Sequence, residues 1–107
     1  MSVKTLWIRE QYLKHILEGR KTVEVRVGYS NIRRLKPGDE LLLNDLHRYV
    51  IHRIAWYSTF GELLETEDHL KIAPDLTLDE LKKAFGEIYP SEKEALGVAA
   101  LEISPNK

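Results

Sequence analysis

Cysteine is absent from the 107-residue chain. That excludes disulfides, thiolate zinc sites and a thiol nucleophile. Long hydrophobic runs are missing too: none approaches the roughly 18 residues a membrane span needs. The first nine residues, MSVKTLWIR, lack the apolar stretch of a signal peptide, so a cytoplasmic location is expected. The four histidines (His15, His47, His52, His69) show no metal-ligand spacing. No metal and no cofactor are expected. Charge of one sign is not in excess either, since the net value is −1.

What is present is a mixture suited to one small soluble domain over residues 1–107. Hydrophobic residues make up 43% and charged residues 31%, which fits a globular rather than a disordered chain. The near-neutral total hides an asymmetry. Residues 1–53 carry 11 Lys and Arg against 6 Asp and Glu; residues 54–107 carry 5 against 11. A basic half suits a phosphate or RNA site, but from charge alone ordinary solvated charge is the plainer reading.

Apolar spacing supplies the elements. Residues 3–9 alternate as a strand, with Leu6 and Ile8 on one face. Tyr12, Leu13, Ile16 and Leu17 form one stripe of a helix over residues 10–18, and Gly19 sits where a left-handed residue would end it. The clearest strand is 22–27: Val23, Val25 and Val27 point one way, and Thr22, Glu24 and Arg26 the other. A loop over 29–36 leads to Lys36-Pro37-Gly38-Asp39, which has the residues of a type II turn. Strands over 40–44 and 49–57 follow, joined by a polar turn at Asn44-Asp45-Leu46-His47. Thr59 and Thr77 each precede a glutamate at capping-box spacing, so each starts a helix. In the second helix Leu78, Leu81, Phe85 and Ile88 form the buried stripe, Pro90 ends it, and residues 97–103 close the chain as a strand. Residues 67–76 have no clear pattern. This order predicts an α+β fold with a mostly antiparallel sheet.

Chemistry concentrates in one place. Glu24 and Arg26 share a strand face, and Lys21 lies just upstream at the corner between helix and strand. Two cations beside one carboxylate hold it ionised, and both cation types can meet phosphate or carbonyl oxygens. A salt-bridged strand face that only stabilises the fold is the plainer alternative. Beyond the strand, Tyr29, Arg33, Arg34 and Lys36 make a basic loop with an aromatic that can stack on a base.

The run Gly19-Arg20-Lys21-Thr22-Val23-Glu24-Val25-Arg26 matches Gly-x-Lys-x-x-Glu-x-Arg at all four fixed positions. In this run, and in the helix before it and the Pro-Gly-Asp turn after it, the chain resembles the ASCH domain family. That resemblance implies a small PUA-like β-barrel of about five or six strands with short flanking helices. It implies a cleft that faces RNA or a modified nucleoside, built on Lys21, Glu24 and Arg26; Thr22 shares their strand face, and the loop with Tyr29, Arg33 and Arg34 is expected to border it. One branch of similarly sized bacterial proteins consists of amidohydrolases that deacetylate N4-acetylcytidine, and it shares the Gly-Arg-Lys-Thr start at Gly19–Thr22. Its lysine matches Lys21. Its threonine nucleophile falls where this chain has Glu24, and its distant glutamate falls near Pro74, with Asp75 the nearest carboxylate. On this reading the catalytic set is Lys21, Glu24 and Asp75, with Thr22 as a substitute nucleophile. A ribonuclease built on Lys21, Glu24 and Arg26 is a third reading.

Overall fold

The computed structural model describes residues 3–106. Five strands form one mixed sheet: β1 (Val3–Leu6), β2 (Val23–Val27), β3 (Glu40–Leu43), β4 (His47–Tyr57) and β5 (Val98–Pro105). Their spatial order is β1-β3-β4-β5-β2, with β1 and β3 parallel and every other pair antiparallel. The helices are α1 (Glu10–Leu17), α2 (Ser30–Arg33), α3 (Phe60–Thr66), α4 (His69–Ile72) and α5 (Leu78–Ile88), and a 3-10 turn covers Ser91–Leu96.

Local chemistry explains the chain reversals. Gly19, at φ +79°, ends α1 in a Schellman arrangement: its N–H meets the carbonyl of Ile16, and the N–H of Arg20 meets that of His15. Asn44 and Asp45 both have positive φ, as a tight hairpin turn between β3 and β4 requires. Thr77 accepts from the N–H of Glu80, whose carboxylate accepts from the N–H of Thr77, completing the expected capping box. Thr59 likewise accepts from the N–H of Glu62.

The sheet is covered on both faces. On one side Leu41, Leu43, Ile51, Leu101 and Ile103 pack against Leu13 and Ile16 of α1. On the other, Val23, Val25, Val98 and Ala100 pack against Leu63 of α3, Ile72 of α4, and Leu81 and Phe85 of α5. The interior strand β5 feeds both clusters by alternation, and five of its residues, Val98 to Leu101 and Ile103, are buried. A register shift between Ile51 and Arg53 interrupts the long β4, whose residues His47–Val50 pair with β3 while Tyr49–Tyr57 pair with β5.

The expected closed barrel is not formed among the described residues. The sheet stays open, with β1 and β2 at its two edges. The reason is visible at the gap. Where β1 and β2 would need backbone pairing, a side chain spans instead: the Arg26 guanidinium on β2 donates to the carbonyl of Trp7, just past β1, at 2.5 Å. Trp7 and its neighbours are held in turn by Asn44, whose amide both accepts from the N–H of Ile8 and donates to its carbonyl.

Two elements lay hidden in unpatterned sequence. The loop after β2 contains the single turn α2, fixed by the buried Ile32. The stretch 67–76 contains α4, capped by Asp68 and anchored by buried Ile72 and Ala73. Ile88, expected in the buried stripe of α5, is 37% exposed and lines an open cleft instead.

Candidate functional site

The gap in the sheet is a cleft of about 240 Å³. Its floor is β2, at Glu24, Val25 and Arg26. One wall is the chain leaving β1, with Trp7, and the first turn of α1, with Tyr12. The other wall is the end of α5, with Phe85, Ile88 and Tyr89. Lys21 closes one end beside Ile72 and Ala73.

Strand alternation places Glu24 and Arg26 on the face opposite Val23 and Val25, towards α1 and Trp7. The Schellman turn at Gly19 swings Lys21 back under Glu24. The ammonium of Lys21 is 3.1 Å from Glu24 Oε1, and it donates to the carbonyls of Val23 (2.8 Å) and Ile72 (2.7 Å). An ammonium has three protons, so all three are engaged. Lys21 is only 4% exposed and sits 5.9 Å from the Tyr12 ring centre.

Glu24 is buried as well. Its Oε2 accepts from Arg26 Nε at 2.7 Å. Burial alone would push this carboxyl up. The charges of Lys21 and Arg26, with their hydrogen bonds, outweigh burial and hold it below the ordinary value of 4.5. Glu24 is therefore ionised at neutral pH. Each of its oxygens still has acceptor capacity beyond the one cation it meets. Arg26 uses Nε and Nη2; its Nη1 has no protein partner among the described residues. The site thus offers open acceptors on Glu24 and an open donor on Arg26, between aromatic walls. Tyr89 is pushed up by burial.

The other residues singled out from sequence lie elsewhere. Thr22 is half-buried; its N–H meets the carbonyl of Lys71, and it does not line the cleft. Asp75 is exposed and faces His15 Nε2 at 3.6 Å, outside the cleft lining. Arg33 stacks on Trp56, its guanidinium carbon 4.1 Å from the ring centre, and donates to the carbonyl of Leu96. Tyr29 is exposed and lies 5.6 Å from the ammonium of Lys93. Arg34 lines a separate hollow of about 320 Å³ beside β1. Lys21, Glu24 and Arg26 are the members brought together.

Sequence reasoning missed the main-chain and aromatic part of the site. The Ile72 carbonyl holds Lys21 from 51 residues away, inside the stretch that has no pattern. Tyr12 reads as one member of an apolar stripe and Tyr89 as a helix-end packing residue; only the three-dimensional gap turns both towards a common space. Among the described residues no group of three or more His, Asp or Glu is arranged to hold a metal ion, and no helix is long and apolar enough to cross a membrane.

Comparison with known proteins fits this picture. The crystal structure of hypothetical protein PH0355 superposes with a TM-score of 0.90 at 30% identity, covering 99% of this chain and 100% of that one. The solution NMR structure of protein PF0455 from Pyrococcus furiosus gives a TM-score of 0.81 at 28% identity, covering 100% of this chain and 99% of that one. No curated protein matches the chain. The profile of the ASCH domain matches residues 6–107, almost the whole length: the chain belongs to the ASCH domain family.

Proposed function

We propose that the cleft binds an unpaired base of RNA or a modified nucleoside. The observation that carries this reading is the buried, ionised Glu24, braced by two cations and facing a space walled by aromatic side chains. The cleft lies just below the ~300 Å³ at which pockets for drug-sized ligands begin, which suits one base rather than a helix. Base recognition in single strands combines stacking on aromatics with hydrogen bonds along the base edge. Trp7, Tyr12 and Tyr89 supply rings, Glu24 an acceptor, and Arg26 Nη1 a donor for a carbonyl or phosphate oxygen. Lys21 enters through Glu24: to meet a ligand itself it would release one of its three present bonds. Membership of the ASCH family also points to RNA.

Less supports an amidohydrolase acting on N4-acetylcytidine. Glu24 is held ionised well into acid and is a weak base near neutrality. Asp75 turns to His15 rather than to the cleft, and the donors of Lys21 are occupied. The same weak base counts against a ribonuclease.

The test is a titration of the exposed Trp7 fluorescence with short single-stranded RNAs and with free nucleosides, at two salt concentrations. RNA bound through its backbone loses affinity as salt rises, with a log–log slope of about 0.7 per phosphate contacted. A free nucleoside binds with little salt dependence. Glu24→Ala should abolish either. Incubation with N4-acetylcytidine, followed by chromatography, addresses the second reading: release of cytidine by the native protein and not by Lys21→Ala would overturn the binding-only account.

A further inference from the structure

Strand β2 is an edge strand, and its backbone parity can be read from its ends. The carbonyl of Thr22 accepts from the N–H of Ile103, and the N–H of Gly28 donates to the carbonyl of Gly97, each at 2.9 Å. The register between these bonds is unbroken. Even-numbered residues therefore direct their N–H and C=O groups at β5, and the odd-numbered Val23, Val25 and Val27 direct theirs away from the sheet. Two of these three are served from outside it. The Val23 carbonyl accepts from Lys21 Nζ. The Val27 carbonyl accepts from the N–H of Tyr29 at 2.8 Å. Val25, between them, has no outward partner among the described residues. It is only 7% exposed and it lines the cleft. A backbone N–H and C=O turned away from the sheet at a residue that lines the cleft present a fixed donor and acceptor to whatever enters it.

Resting on the reading of the cleft as a base site, we infer that the main chain of Val25 reads the base edge, its N–H donating to a ring nitrogen and its C=O accepting from the adjacent exocyclic amine. The N–H and C=O of one extended residue point the same way, which matches the neighbouring acceptor and donor on the Watson–Crick edge of cytosine or adenine. Uracil offers an adjacent donor and acceptor too, so the main chain alone does not exclude it. Glu24 does: it borders the same space, carries acceptors only, and opposes a carbonyl where it accepts an amine. The ligand class is therefore an amino-bearing base, and cytidine should bind about tenfold or more tightly than uridine, because the wrong base leaves a buried acceptor unpaired.

The experiment is amide hydrogen exchange and 15N shift mapping on the full chain, free and with millimolar cytidine 5′-monophosphate, with uridine 5′-monophosphate as comparison. In the free protein the Val25 amide should exchange faster than those of Glu24 and Arg26, which are bonded to β5. With the cytidine nucleotide it should slow by about tenfold or more, its resonance moving downfield as a new hydrogen bond forms. Val25→Pro removes the donor at an edge position whose N–H faces away from the sheet, where proline is tolerated. It should weaken binding by about tenfold, while Val25→Ala, which keeps the N–H, should not. Shifts at Trp7 and Arg26 with the Val25 amide unmoved would overturn the main-chain inference and leave the base site standing. Equal binding of the two nucleotides would overturn the amine selectivity. No response anywhere, to either nucleotide or to a short cytidine-containing RNA, would overturn the base site and this inference together.

Discussion

Replacing Lys21 by methionine separates bracing from ligand contact. Methionine keeps the apolar stem and removes the ammonium. Three groups then lose a partner: the carbonyls of Val23 and Ile72, and Oε1 of Glu24. Both members of the ion pair are buried, so solvent cannot compensate, and removing one partner of such a pair costs about 3–5 kcal/mol. Against the ~5–15 kcal/mol that holds a typical domain together, this is a large share. At this chain length it corresponds to a fall in melting temperature of roughly 12–20 °C. Much of the loss is the stranded charge of Glu24. Lys21→Met combined with Glu24→Gln should therefore be more stable than the two single effects added together, by about 1–3 kcal/mol. Acid should also narrow the gap. In the native protein Glu24 is held below 4.5, so its ionic contribution is complete above that value and is lost as pH falls through the folded value. In the variant burial is opposed by Arg26 alone, Glu24 takes up its proton at higher pH, and the penalty relaxes. Urea unfolding of the four proteins of the cycle, at neutral pH and near pH 4, measures all of this. A Lys21→Met protein within about 0.5 kcal/mol of native at neutral pH would refute the reasoning and return Lys21 to the role of a free cation for the ligand.

Three further outcomes are expected. Arg26→Ala removes the only described side-chain bridge from β2 to Trp7 along with the open donor, so it should lower ligand affinity by about tenfold and raise Trp7 mobility in fluorescence anisotropy. Ligand binding should stay level from neutral pH down to about 4.5 and fall below it, because the working form of Glu24 is the carboxylate and its pKa is lowered; a midpoint near 6 to 7 in a binding titration would contradict the ion-pair account. Thr77→Ala breaks a capping box on the helix that forms one wall of the cleft, and should destabilise by about 1 kcal/mol by urea unfolding while leaving the Lys21–Glu24–Arg26 constellation in place.

Much of the fold was legible because its signals are local. Alternating valines define β2, the glycine at position 19 ends α1, and paired threonine and glutamate residues start α3 and α5. The motif face was legible for the same reason, since Glu24 and Arg26 share a face by a period of two. What was not legible is non-local. Whether β1 and β2 pair across a barrel or stay apart depends on backbone groups more than a dozen residues away in sequence, and no alternation encodes it. The role of Ile72 is a carbonyl, identical in every residue type. Asp75 is merely the carboxylate nearest the position where the resemblance places a glutamate, and α4 and the turn after it carry its side chain to His15. Arg33 and Tyr29 were read as cleft-facing from loop position, whereas the short helix α2 aims Arg33 at Trp56, on the far side of Gly28 and Gly97.

An open edge explains why the site sits where it does. A sheet that does not close leaves a row of main-chain groups that must be covered, paired or wetted. Here Lys21 covers one end of β2, while the N–H of Tyr29 covers the other. Arg26 bridges the gap itself without filling it. Each of these groups is fixed by the fold, so the remaining opening has a set width and a set polarity. A backbone donor and acceptor, a carboxylate that cannot easily be neutralised, and a guanidinium with one free nitrogen all face it. Because those partners are already held in place, a base entering the cleft orders few side chains, and less of its binding energy is offset by lost freedom. The same bracing ties affinity to stability: a change that loosens Lys21 or Arg26 lowers both together, whereas one confined to the outward edge of Val25 should lower affinity alone.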